Sequence, residues 1–151
     1  MDIARVEGKN RLLVIEDNPA DVDLLRRALD RAGVDYELTV VDDGADALAL
    51  MRPGSTTESH SAPDLAIVDL NLPKHGGLEI IEQMRANPKY ASVPVVILSS
   101  SSAPRDRAKM ERFHVRRYIV KPADFEEYMN IGRQISELLL EGRKQEQPSE
   151  A

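Results

Sequence analysis

The chain has 151 residues, 42% of them apolar and 30% charged, with a formal net charge of −6. That is enough for one domain and too little for two comfortable ones, and the composition is that of an ordinary soluble globular protein. The acidic balance argues against a nucleic-acid partner, which calls for a basic face. The four tyrosines and two phenylalanines are too few and too scattered for a base-stacking platform. With no cysteine, neither a disulfide framework nor a thiolate zinc site is available. No run of about 18 apolar residues exists, and the start from Met1 to Arg5 lacks the apolar stretch of a signal peptide. No membrane partner is expected, and a cytoplasmic location is.

Short apolar runs alternate with helical patterns along the chain. Leu12 to Ile15 is unbroken, as in a strand buried on both faces. Val22, Leu25, Ala28 and Leu29 then repeat with helical spacing over Asp21 to Arg31, stopping at Gly33. Pro19 fits the first turn of that helix. Tyr36 to Val41 alternates apolar and polar residues like a half-buried strand, and a short helix is expected from Gly44 to Arg52. Pro53 to Pro63, rich in Ser, Thr, Gly and Pro, reads as a mobile surface loop. Leu65 to Val68 and Val95 to Leu98 are two more buried strands, with a helix from Gly77 to Arg85 between them. A short helix over Pro104 to Phe113, a strand at Tyr118 to Val120 and a final helix over Asp124 to Glu141 complete the pattern. Residues 1–10 are thus expected to be an N-terminal extension, 11–141 the one domain, and 142–151 a polar, disordered tail.

Fivefold strand–helix alternation implies an α/β fold, a doubly wound five-stranded parallel sheet with helices on both faces. Right-handed crossovers favour strand order 2-1-3-4-5, and ligands of such sheets sit at the carboxyl ends of the strands, where the winding reverses. The residues just after the strands are Glu16 and Asp17, Asp69, Ser99, and Lys121 with Pro122. Two carboxylates about 4 Å apart repel by roughly 4 kcal/mol at an effective dielectric near 20. Three of them call for a counter-cation, and oxygen ligands with an open coordination sphere suit Mg²⁺. Any one of these acids alone is as well read as a solvated helix cap; the set on four strands is not.

The set resembles the receiver domains of two-component signalling. The resemblance spans Arg11 to Glu141 and rests on Glu16-Asp17-Asn18-Pro19, on Asp69 to Pro73 with Gly76-Gly77, on the apolar run into Ser99, and on Tyr118 to Pro122. It implies that Asp69 is the phospho-acceptor, that Asp17 and Asp69 supply oxygens to Mg²⁺, that Glu16 sits in the outer metal shell, and that the Asn71 backbone carbonyl is a further ligand. It also implies that Lys121 contacts the phosphoryl oxygens and that the Lys121–Pro122 peptide is cis. A carboxylate attacking a phosphoryl group gives an acyl phosphate, and a cation and an ammonium neutralise the charge on the transferred oxygens. In the family the donor is a phosphohistidine on a sensor histidine kinase. The Ser99 hydroxyl then turns to the phosphate, and Tyr118 moves from an outward to an inward rotamer. Many receivers carry Thr where this chain has Ser99; serine keeps the hydroxyl but loses the methyl packing and stiff χ1. The resemblance makes the chain a signalling protein that catalyses only its own phosphorylation and dephosphorylation.

Three rivals fit less well. A hydrolase with an aspartyl intermediate wants a second acid two residues on, where this chain has Asn71. A degenerate receiver serving as a scaffold would lack the acceptor, acids or lysine, and all are present. A dinucleotide-binding domain needs a glycine-rich turn after the first strand, and Glu16 to Ala20 contains no glycine. His60, His75 and His114 read as ordinary surface residues, Ser102 as a helix cap, and Ser101 with Asn71 as neighbours of the attacking water in the family. More narrowly, the chain resembles stand-alone receivers paired with phytochrome-type histidine kinases, and a histidine phosphotransfer protein is a further candidate partner.

The apolar residues of the final helix span an arc of roughly 200°, where a surface helix needs a little over 100°. Tyr128, Ile135 and Leu139 are the expected sheet contacts. Ile131 with Leu138, or Met129 with Leu140, would then be left for a second copy of the chain, a homodimer being the commonest arrangement.

Overall fold

The structure, a computed structural model, describes residues 8–54, 62–100 and 107–146. Its elements alternate in chain order as β1 (Asn10–Ile15), α1 (Pro19–Arg31), β2 (Tyr36–Val41), α2 (Gly44–Met51), β3 (Leu65–Val68), α3 (Gly77–Ala86), β4 (Val95–Ser99), α4 (Arg107–Arg112), β5 (Val115–Val120) and α5 (Phe125–Glu146). The strands form one sheet in the order β2-β1-β3-β4-β5, as expected, with every neighbouring pair parallel. Residues 55–61 of the expected loop, and 101–106 ahead of α4, lie outside the described residues, and with them Ser101, Ser102 and His60.

Successive strand residues point to opposite faces, so each buried strand feeds two cores at once. Leu12, Val14, Leu65, Ile67, Val96 and Leu98 face α1 and α5. Leu13, Ile15, Ala66, Val68, Val95 and Ile97 face α2, α3 and α4. The edge strand β2 keeps the alternation of half-buried and exposed residues that its sequence predicts. Asn18 caps α1, its side chain accepting the Ala20 N–H at 2.9 Å, with Pro19 in the first turn. Gly33, at φ +73°, turns the chain out of the helix.

At the head of β5, Val95 pairs with Val115 but Val96 pairs with Arg117. Arg116 is therefore an extra residue on β5, a bulge of the kind that shifts strand phase by one.

The final helix departs from expectation in two ways. Its second apolar flank is covered within the monomer: Met129, Ile131 and Leu138 are all buried, and only Leu140 and Phe125 stay exposed. The cover is α1. A Cβ at Gly132 would collide with the Ala28 carbonyl, so the missing side chain lets the two helices approach closely enough for Leu25, Ala28 and Leu29 to join the same core as the flank. Of the apolar surplus that argued for a homodimer, Met129, Ile131 and Leu138 are thus covered within the monomer and Leu140 is not. The helix also runs on through Gly142 to Glu146, beyond the expected end at Glu141. Arg143, Lys144, Gln145 and Glu146 are good helix formers, which offsets the single glycine.

Candidate functional site

The sheet delivers its polar residues to one edge. β1 runs into Glu16 and Asp17, β3 into Asp69, β4 ends on Ser99, and β5 runs into Lys121. Asp69 is buried, and both of its oxygens are engaged: Oδ1 accepts the Asn71 backbone N–H at 3.0 Å and Oδ2 accepts Lys121 Nζ at 3.3 Å. Its own backbone N–H donates to the Ile15 carbonyl at 3.0 Å, continuing the β1–β3 ladder past the end of β3. Gly77 opens α3 so close to this loop that a Cβ there would collide with the Asp69 carbonyl oxygen. That close approach is the physical reason for glycine at this position.

Lys121 is held at both ends. Its backbone N–H donates to the Ser99 carbonyl at 2.7 Å, and its Nζ reaches Glu16 Oε2 at 2.7 Å, Asp21 Oδ2 at 2.8 Å and Asp69 Oδ2 at 3.3 Å. Burial alone would lower its pKa, but the hydrogen bonds to Asp21 and Glu16 and the charge of Asp69 reverse this and hold the ammonium above the ordinary lysine value. Burial pushes the Glu16 carboxyl up to about 7, against the opposing hydrogen bonds from Lys121 and from the Asn18 N–H at 3.1 Å. The Lys121–Pro122 peptide is not cis, since no cis bond occurs among the described residues. That corrects the expectation drawn from the resemblance; trans is the ordinary preference of an X–Pro bond.

The donor set fits a hard cation. Glu16, Asp17 and Asp69 can each present a carboxylate oxygen, and these oxygens lie within 4.8 Å of one another. Asp17 is exposed, which leaves an open side for water or substrate oxygens. Both Glu16 oxygens already accept hydrogen bonds, which suits an outer-shell position better than direct ligation.

Ser99 is fully buried, and its hydroxyl oxygen accepts the Asn71 side-chain amide at 2.9 Å. Tyr118 is half-buried and packs on the α3–α4 side of the sheet. The geometry therefore gathers Glu16, Asp17, Asp69, Asn71, Ser99 and Lys121 at one edge. Of the histidines, His75 Nδ1 lies 3.3 Å from Glu79 Oε2 one helical turn on, and His114 is exposed in a turn at φ +57°. Sequence reasoning passed over Asp21. Standing three residues after the Asn18 cap, it looks like an acid complementing the start of a helix, yet its carboxylate turns to Lys121. Its backbone carbonyl accepts the Tyr128 hydroxyl of α5 at 3.3 Å.

A family model described as the response regulator receiver domain matches residues 12–132. The response regulator Rcp1 of Synechocystis is 31% identical over 130 residues, covering 86% of this chain and 88% of that protein. Among solved structures, the phosphorylated cyanobacterial phytochrome response regulator RcpA is similar with a TM-score of 0.77 at 35% identity, over 87% of this chain and 94% of that one. The Mn²⁺-bound form of Rcp1 gives a TM-score of 0.75 at 30% identity, over 87% and 95% of the two chains. No described helix is long and apolar enough to cross a membrane. With its doubly wound sheet, its acids and lysine at the carboxyl edge, and relatives that match along nearly their whole length, the chain belongs to the response regulator receiver family, signalling proteins that take a phosphoryl group on an aspartate with a divalent cation.

Proposed function

We propose that Asp69 is the residue that takes the phosphoryl group, from a phosphohistidine of a sensor histidine kinase of the phytochrome type. The observation that carries this reading is the setting of Asp69: a buried carboxylate at the end of a central strand, with Lys121 against one oxygen and a backbone N–H on the other. An Asp69 oxygen forms the new P–O bond as the P–N bond to the kinase imidazole breaks, and the electron pair leaves with the imidazole. Lys121 donates to the phosphoryl oxygens and offsets their charge. Asp17 and Asp69 would hold Mg²⁺ directly, with the Asn71 backbone carbonyl as a further ligand and Glu16 in the outer shell. When bound, the ion neutralises charge on the transferred group. The Ser99 hydroxyl, whose oxygen accepts the Asn71 amide, would turn its proton to the phosphate, and Tyr118 follows it inward.

The phytochrome pairing draws on relatives whose names carry it: RcpA, a cyanobacterial phytochrome response regulator, and AtBRR, a bacteriophytochrome response regulator at 29% identity and a TM-score of 0.65. An acyl phosphate is also chemically able to pass its phosphoryl group to a histidine phosphotransfer protein. The test is to incubate the protein with a phytochrome-type kinase, or with acetyl phosphate, and to map the label. A Mg²⁺-dependent, acid-stable, alkali-labile phosphate on Asp69, abolished by Asp69→Asn, is the expected result. Labelling of Asp69→Asn at the stoichiometry of the unmodified protein would sink the assignment.

A further inference from the structure

Asp21 touches Lys121 yet stands outside the machinery that the family resemblance implies. An acid at its place in the first turn of a helix ordinarily folds back onto the backbone N–H of the cap residue. Here Glu16 Oε1 already accepts the Asn18 N–H at 3.1 Å, and the Asp21 carboxylate points instead at Lys121 Nζ, 2.8 Å away. The hydrogen bond from the buried Tyr128 hydroxyl to the Asp21 carbonyl pins this turn of α1 against α5.

An ammonium has three N–H donors, and those of Lys121 meet three carboxylates: Glu16 at 2.7 Å, Asp21 at 2.8 Å and Asp69 at 3.3 Å. A phosphoryl group on Asp69 brings new acceptor oxygens and about one more unit of negative charge, so an N–H has to turn toward it. The Glu16 side chain is 6% exposed and its Oε2 would be left buried without its donor, whereas the Asp21 side chain is 23% exposed and can exchange the ammonium for water. We propose that Asp21 is a positioning residue that holds Lys121 in its resting place in competition with the phosphoryl group, so that Lys121 turns to the phosphorylated Asp69 by giving up its bond to Asp21. This rests on the reading of Asp69 as acceptor and Lys121 as phosphoryl contact.

The test uses beryllofluoride, which mimics a phosphoryl group on a carboxylate, titrated calorimetrically at saturating Mg²⁺. Asp21→Asn keeps the shape of the side chain and removes its charge, and Asp21→Ala is the second variant; thermal melts check that both are folded. Each should bind beryllofluoride about tenfold more tightly than the unmodified protein, a ratio equal to about 1.4 kcal/mol and the size of one charge-assisted hydrogen bond. In a Lys121→Gln background the same substitutions should change nothing, whether both proteins bind equally or neither binds. Unchanged or weaker binding by the Asp21 variants overturns the inference. So does a gain that persists in the Lys121→Gln background, because simple charge repulsion would then be its cause. Failure of the unmodified protein to take beryllofluoride at all would instead overturn the reading of Asp69, and the inference with it.

Discussion

The Asn71 side-chain amide donates to the Ser99 hydroxyl at 2.9 Å across the carboxyl edge of the sheet. The same residue donates its backbone N–H to Asp69, so one asparagine sets the Asp69 carboxylate and the Ser99 hydroxyl relative to each other. Ser99→Ala should still accept phosphate from acetyl phosphate, because Asp69, Lys121 and the acids are untouched. It should lose most of the phosphorylation-dependent change at Tyr118, read from the ring signals in a tyrosine-labelled NMR spectrum. A full-sized Tyr118 response in that variant would show that the signal leaves the site by another route.

Mg²⁺ should stabilise the protein against heat, and Asp17→Asn should remove most of that gain. A ligand that binds only the folded state adds RT ln(1 + [L]/Kd), about 1–3 kcal/mol at millimolar ion. The comparison is of melting temperatures with and without Mg²⁺; equal shifts in the two proteins would take Asp17 out of the ligand set.

Acidity should enter through Glu16, whose carboxyl burial raises from 4.5 to about 7. The folded protein holds that proton more tightly than the unfolded chain does. The stability this supplies is therefore complete below pH 4.5 and is lost as the pH rises through about 7 in metal-free protein. Cation binding favours the carboxylate, so Mg²⁺ affinity should climb by up to about tenfold per unit as the pH rises toward about 7 and level off above it. Titrations at fixed ionic strength across that range give the profile. A flat one would mean that the ion does not sense this group.

Gly132→Ala should be costly although it adds one methyl group. The new Cβ would collide with the Ala28 carbonyl and crowd the Ala32 Cβ, and overpacking of this kind costs about 1–3 kcal/mol. Urea unfolding should show a lower midpoint with an unchanged slope. A neutral result would show that α1 and α5 can separate without loss.

Much of this was legible in the chain itself. The unbroken runs of β1, β3 and β4 announce strands buried on both faces, and once their order is fixed Asp69, Asp17 and Lys121 must share an edge. β5 was read only from Tyr118 onward, because Arg116 and Arg117 hide its first half. Arg117 is tolerated there because its guanidinium reaches Gln134 of α5 at 3.3 Å. The flank of α5 was visible as an apolar arc, but helical periodicity says only that a side is covered, never by what. Asp21 stayed hidden for a related reason: an acid in a first turn already has a sufficient local explanation, and its bond to a lysine 100 residues away leaves no trace in spacing.

The unpaired Arg116 gives β5 an odd offset, and handedness of presentation follows from it. Val115 and Tyr118 both pack on the α3–α4 side although they are three positions apart, while Ile119 joins the α1–α5 side. In an uninterrupted strand, residues three apart point in opposite directions. A one-residue deletion between Val115 and Tyr118 would remove the bulge and leave the two residues two apart, still on one face, whereas regular pairing with every residue kept would, with Val115 in place, aim Tyr118 at α5 and Ile119 at α4. Which helices Tyr118 faces is thus decided by one extra residue in β5, several positions upstream of Lys121.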